Sequence, residues 1–202
     1  GGGGFLGRYV AQELLGKGFR VRVAERDPSR ALRVKPLGNL GQTQLVHADV
    51  RDPASVARAV AGADAVVNLV AVLKGDMDGI NHKGAAHVAQ AAASAGAKAL
   101  VHISAIGSDP ASQSAYGRSK GQGEQAVRAA FPQATLIRPS ILFGREDQFT
   151  NRFANLIRMA PVLPVIAGET KFQPVYVVDV ARAIAIAVAD AGAHMGKTYE
   201  LG

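Results

Sequence analysis

The sequence predicts an α/β protein built on a doubly wound parallel sheet, and three observations carry that prediction. Segments of strand length alternate with helical segments of roughly 10–15 residues, the spacing that right-handed crossovers between parallel strands require. Two of the strand segments, residues 65–73 and 99–103, are near-continuous apolar runs, as strands covered on both faces are. The chain also opens on Gly1-Gly2-Gly3-Gly4-Phe5-Leu6-Gly7, a glycine run that passes directly into an amphipathic helix. A strand is expected ahead of Gly1, so the 202 residues read as an excerpt of a longer protein.

In chain order, Leu6, Val10 and Leu14 recur four apart and give one apolar helical face, which Gly16-Lys17-Gly18 ends. Residues 19–24 alternate apolar Phe19, Val21 and Val23 with Arg20 and Arg22, which predicts a strand. Leu45–Ala48 is a short strand, and Asp52-Pro53 caps a helix over Ala54–Val60. The run Ala65–Leu73 follows as a strand, then an alanine-rich helix over Gly84–Ala95 and the buried strand Ala99–Ile103. Ser114–Ala130 reads as a helix and Thr135–Ile137 as a strand closed by Pro139. A helix over Phe149–Met159 has no buried strand behind it, whereas Val175–Val178 and a helix over Asp179–Ala189 return to the sheet pattern. The expected organisation is a dinucleotide-binding unit over 1–144, a substrate-side segment over 145–174, and a return to the sheet over 175–202.

Composition bounds the function classes. Apolar residues make up 48% and charged residues 19%, the proportions of a folded globular chain. There is no cysteine, which removes thiol nucleophiles, zinc–thiolate sites and iron–sulfur clusters. No apolar stretch approaches the ~18 residues a bilayer span needs. The +7 net charge is spread singly, and the 5% of aromatic residues do not interleave with it, so nucleic-acid binding is not expected. His47, His82, His87, His102 and His194 form no metal-ligand pair and are expected in strand or surface roles, and no metal is expected.

Gly1, Gly4 and Gly7 form G-x-x-G-x-x-G, a spacing distinct from the commoner G-x-G-x-x-G. A phosphate-binding turn needs backbone N–H groups aimed at the pyrophosphate. Glycine removes the Cβ that would hold the ligand off, and the helix N-terminus behind it favours an anion. The turn and the first helical residues, Gly1, Gly4, Phe5 and Leu6, are therefore candidate cofactor contacts. Glu25 lies 18 residues past Gly7 at the end of the next strand. Its carboxylate can accept from ribose hydroxyls and would repel a 2′-phosphate, which favours NAD, whereas the guanidinium of Arg26 suits the 2′-phosphate of NADP. Asp49, with Val50 beside it, is the candidate adenine contact, and Val70 is a further cofactor candidate.

Tyr116-Gly117-Arg118-Ser119-Lys120 is Y-x-x-x-K on a predicted helix, so phenol and ammonium share one face. A nearby ammonium favours the phenolate and would draw the tyrosine toward general acid–base use. Asp76 and Asp78 are expected in a solvated loop, and Phe143, Phe149, Phe153 and Met159 in packing.

These motifs together resemble the extended or atypical short-chain dehydrogenase/reductases. The likeness rests on the three glycines, Asp49, Asn81-His82-Lys83-Gly84, Tyr116 with Lys120, residues 138–144 (RPSILFG) and residues 175–181 (VYVVDVA), and it covers nearly the whole chain. It implies a Rossmann-type sheet, an NAD or NADP cofactor, Tyr116 as acid–base and Lys120 on the nicotinamide ribose. A serine would polarise the substrate carbonyl, but an ungapped alignment puts Ala105 at that position, with Ser104 adjacent and Ser108 or Ser114 within the following loop.

Gly-Phe-Leu-Gly, Arg26-Asp27-Pro28, Asn68-Leu69-Val70 and Val101-His102-Ile103-Ser104 are similar to one subgroup, the reductase-like accessory subunit of respiratory complex I and its bacterial relatives. That likeness implies nucleotide binding with little turnover, respiratory complex I or a membrane-associated partner, and a cytoplasmic site or one peripheral to the inner membrane. The alternative is an active epimerase, dehydratase or reductase on a nucleotide sugar or small carbonyl compound, with Tyr116, Lys120 and Ser104 as the catalytic candidates.

Overall fold

A computed structural model describes residues 1–159 and 168–202. Eight strands occur among them: β1 (Val21–Glu25), β2 (Thr43–His47), β3 (Ala65–Asn68), β4 (Ala99–Ile103), β5 (Thr135–Pro139), β6 (Leu142–Phe143), β7 (Val175–Tyr176) and β8 (Thr198–Leu201). The helices are α1 (Phe5–Gly16), α2 (Pro53–Val60), α3 (Gly84–Ser94), α4 (Ala115–Ala130), α5 (Thr150–Met159), α6 (Val177–Ala189) and α7 (Ala191–His194). Every strand pairing is parallel, in the orders β1-β2, β3-β4-β5-β8 and β6-β7.

Alternation along β4 builds the layers. Leu100 joins Val66 and Leu136 in a core under α3 and α4, with Val88, Ala89, Ala92 and Val127. Val101 and Ile103 point the other way, onto α1 and α6, where Val10, Val180 and Ile184 meet Ile137. All five residues of β4 are buried, as a strand covered on both faces should be. A third cluster packs the far side of α1, Ala11 and Leu15, against Val23, Ala31 and Val34.

Local chemistry sets the helix ends. Asp52 Oδ1 accepts the Ala54 N–H at 3.0 Å and Pro53 opens α2, as the sequence predicts. Gly18, at φ +86°, turns the chain out of α1 in a conformation that only glycine adopts without strain.

Two strand expectations need correction. The apolar run 65–73 stays in the sheet only to Asn68, because side chains take over the later backbone groups. Asn68 Oδ1 accepts the Val70 N–H at 3.1 Å, and the Asn81 amide bonds both the N–H and the carbonyl of Val72, at 2.8 and 2.9 Å. Likewise 175–178 is a strand only at Val175–Tyr176, paired with β6 outside the main sheet, and α6 starts at Val177. The strand that joins the main sheet is β8, against β5. Part of the expected substrate-side segment, residues 160–167, lies outside the described residues.

Candidate functional site

The glycine turn is built by contact. A Cβ on Gly2 would lie 2.8 Å from Val23 Cγ1, one on Gly3 3.0 Å from Ala31 Cβ, and one on Gly1 3.1 Å from the Leu69 carbonyl. A Cβ on Gly7 would press into the Gly1 and Gly2 carbonyls, so glycine there lets α1 start directly behind the turn. Gly4 N–H closes the turn on the Gly1 carbonyl at 3.2 Å. Gly4 enters α1 in extended conformation with no side-chain cap, and the first helical bond runs from Arg8 N–H to the Gly4 carbonyl. The N–H groups of Phe5, Leu6 and Gly7 thus lack intrahelical acceptors, and the helix dipole adds positive character there. That cradle fits a pyrophosphate.

One cleft gathers most of the cofactor candidates: Gly1, Gly4, Phe5, Glu25, Arg26, Asp49, Val50 and Val70 all line it. Leu6 does not, because its side chain packs into the core under α1 and α6.

Glu25 Oε1 accepts the Gly3 N–H at 2.7 Å, which joins the end of β1 to the glycine turn. Arg26, the next residue, is exposed. Asp49 is gripped by Arg51, whose Nε donates to Oδ1 at 3.1 Å and whose Nη2 donates to Oδ2 at 2.6 Å. Those bonds, with the Arg51 backbone N–H, lower the Asp49 carboxyl to about 2. The Val50 carbonyl is held by His87 Nδ1 at 2.8 Å. Val70 lines the cleft, but its N–H is already taken by Asn68.

Tyr116 and Lys120 are one turn apart on α4 and lie outside the lining of that cleft. Lys120 is 1% exposed, and its Nζ donates to the Ile103 carbonyl at 2.7 Å. Burial lowers its ammonium from the ordinary 10.5 to about 8, against a smaller opposing pull from Glu124. Burial raises the Tyr116 phenol, the direction opposite to the one an adjacent ammonium would impose.

Ser104 is buried, with its Oγ 2.9 Å from Ser108 Oγ, and Ser108 Oγ donates to the Ala105 carbonyl at 2.7 Å. Ser114 caps α4, accepting the Gly117 N–H at 3.4 Å. Asp76 accepts the Gly79 N–H, and Asp78 binds His82 and Lys83, so both serve the helical turn that contains Asn81.

Two residues that the motif reading left without a role stand out. Asn81 sits in a π-helical turn (Asp78–Lys83), a feature common at functional sites. Besides holding Val72, its amide donates to Ser119 Oγ at 3.1 Å, and a Cβ at Gly123 would strike its carbonyl. The second is His102, buried in β4 against Asn68. A polar residue inside an otherwise apolar strand, within the Val101–Ser104 segment, is the sequence signal that marks it.

A parallel sheet flanked by helices on both faces, with an uncapped glycine-rich helix start at the carboxyl end of the strands, defines a dinucleotide-binding Rossmann-type protein. The chain belongs to the NAD dependent epimerase/dehydratase family, whose model matches residues 1–202. It is 39% identical over 209 residues to NADH dehydrogenase [ubiquinone] 1 alpha subcomplex subunit 9, mitochondrial, of Arabidopsis thaliana, covering 100% of this chain and 52% of that protein. The Mus musculus protein of the same name is 38% identical over 205 residues, covering 98% of this chain and 54% of its own length. This chain therefore spans about half the length of those relatives. Among solved structures, a dTDP-glucose 4,6-dehydratase from Streptomyces venezuelae with NAD bound superposes with a TM-score of 0.81 at 24% identity. The match covers 100% of this chain and 74% of that one.

Proposed function

We propose that the cleft binds a nicotinamide dinucleotide and that the chain is the nucleotide-binding part of a protein of the complex I accessory-subunit type, with little or no turnover. The observation that carries this reading is the Lys120 ammonium, buried and bonded to the Ile103 carbonyl at the end of β4, together with Ala105 at the position where the resemblance calls for a serine. A group held inside the sheet is a support for α4 in this arrangement, while the glycine cradle and the Asp49–Arg51 pair remain suited to hold a ligand. The 39% identity to a complex I subunit supports the same assignment and supports respiratory complex I, at the membrane periphery, as the partner. No described helix is long and apolar enough to cross a membrane.

In the cleft, the N–H groups of Phe5, Leu6 and Gly7 would hold the pyrophosphate, Glu25 the adenosine ribose and Asp49 with Val50 the adenine. The bound nicotinamide would supply a site for hydride exchange. Glu25 beside Gly3 supports NAD, since a carboxylate there repels a 2′-phosphate; Arg26 is the group that would admit NADP. Titration of the full-length protein with NADH and NADPH, followed by assay against a panel of nucleotide sugars and small carbonyl compounds, tests the reading. Tight binding without substrate-dependent change in absorbance at the nicotinamide band is expected.

Retention of both Tyr116 and Lys120 favours a second reading, an active epimerase, dehydratase or reductase in which the Ser104–Ser108 hydroxyl pair polarises the carbonyl. Under that reading Tyr116→Phe abolishes a turnover that the wild-type protein shows. Turnover of any panel compound that Tyr116→Phe removes would overturn the first reading.

A further inference from the structure

Asn68 and His102 are register partners on β3 and β4, and both are buried. Asn68 Nδ2 lies 3.1 Å from His102 Nδ1, while Asn68 Oδ1 accepts the Val70 N–H at 3.1 Å. A backbone N–H can only donate, so Val70 fixes which end of the amide is oxygen. The amide NH2 then faces Nδ1, which must be the ring nitrogen without a proton. The proton sits on Nε2, and Nε2 has no partner among the described residues.

This is a costly tenant for the middle of a sheet. A buried N–H left unpaired is destabilising, and an aliphatic side chain would avoid that cost. Burial, with the Lys120 ammonium nearby, lowers the imidazolium to about 3, so the ring is neutral. What the neutral ring supplies is one acceptor, Nδ1, aimed at Asn68. Asn68 in turn holds the backbone where it leaves the sheet, and that backbone is the wall of the glycine turn: a Cβ on Gly1 would meet both C and O of Leu69 at 3.1 Å.

We propose that His102 is a positioning residue for the nucleotide cleft, acting through Asn68 to fix the Leu69–Val70 backbone against which the glycine turn is set. The proposal rests on the reading of the cleft as a dinucleotide site. Its test uses His102→Asn, which keeps an acceptor where Nδ1 was, and His102→Leu, which removes it. Both lose the ring, so a loss of thermal stability common to the two is packing and is set aside. Affinity for NADH and NADPH is expected within about threefold of wild type in His102→Asn and about tenfold weaker in His102→Leu, the worth of roughly one hydrogen bond. Amide hydrogen exchange at Val70 should quicken only in His102→Leu. Wild-type affinity in His102→Leu, or an equal loss in both variants, would overturn the proposal, as would a 15N spectrum that places the ring proton on Nδ1. If the wild-type chain binds neither nucleotide, the cleft assignment falls, and Val70 exchange in the two variants still decides whether His102 governs that backbone.

Discussion

The Glu25 carboxylate and the Gly3 amide meet at 2.7 Å, so the side chain expected to choose between NAD and NADP also holds the turn that would grip their shared pyrophosphate. Removing the charge while keeping the acceptor separates the two roles. Glu25→Gln should leave NADH affinity within about threefold and strengthen NADPH roughly tenfold, as expected when one like charge leaves the vicinity of a 2′-phosphate. Isothermal titration with both nucleotides reads the ratio. An unchanged ratio would show that Glu25 serves the turn alone.

Asp49 is held ionised and oriented by Arg51. An acceptor at that position suits the adenine amino group and opposes the carbonyl that replaces it in hypoxanthine. The wild-type protein should therefore prefer NAD to its deaminated analogue by about tenfold, the worth of one hydrogen bond against one unpaired acceptor. Asp49→Asn, which can turn a donor outward, should lower that preference toward unity. Competition binding with the two dinucleotides checks both statements.

Lys120 titrates low because folding buries its ammonium. The unfolded chain holds that proton more tightly, up to the ordinary value near 10.5, so between about pH 8 and 10.5 the unfolded state binds more protons and stability rises with pH. Below about pH 8 both states are protonated and the burden of burial is present in full. Lys120→Met should flatten this rise. Measured by urea denaturation at pH 7 and pH 9.5, the wild-type gain should exceed that of Lys120→Met by about 2 kcal/mol, of the order of one to two pKa units. Parallel profiles in the two proteins would mean that Lys120 keeps an ordinary proton affinity.

Two glycines on α1 should behave oppositely. At Gly7 a Cβ meets the Gly1 and Gly2 carbonyls of the turn, so Gly7→Ala should cost about 1–3 kcal/mol and weaken nucleotide binding with it. At Gly16 a Cβ meets nothing within 4 Å, and Gly16→Ala should stabilise by about 0.5–1 kcal/mol through reduced backbone entropy of the unfolded chain. Thermal unfolding of the two variants decides.

The parallel sheet, the α2 cap and the glycine turn were legible because each depends on local chemistry: periodicity, a capping carboxylate, a missing Cβ. The early exit of the 65–73 run was not, because Asn81, nine residues past Val72 in a separate helical turn, supplies the hydrogen bonds that compete with the sheet. Asp49 and Glu25 could be singled out from their positions as candidate nucleotide contacts, but Arg51 on the one and Gly3 on the other emerge only from three-dimensional contact. That Tyr116 and Lys120 lie one turn apart on α4 was readable from their spacing. The direction of the tyrosine shift was not, since burial depends on what closes over α4 and the Ile103 carbonyl takes the ammonium. His102 shows the same limit, for nothing in its neighbours along the chain hints at Asn68.

Arg138 on β5 donates to both Glu124 carboxylate oxygens, at 2.9 and 2.7 Å, and to Glu200 on β8 at 3.1 Å. The first link spans 14 residues and the second 62, so the helix that carries Tyr116 and Lys120 is clamped to a strand made much later. On a ribosome, α4 and β5 would emerge with one clamp arm empty and the β5 edge open until residue 200 arrives. Long-range parallel pairing of this kind is slow to close and leaves an edge exposed to other chains. Between residues 139 and 198 of synthesis, the β5 edge is therefore open to pairing with other chains.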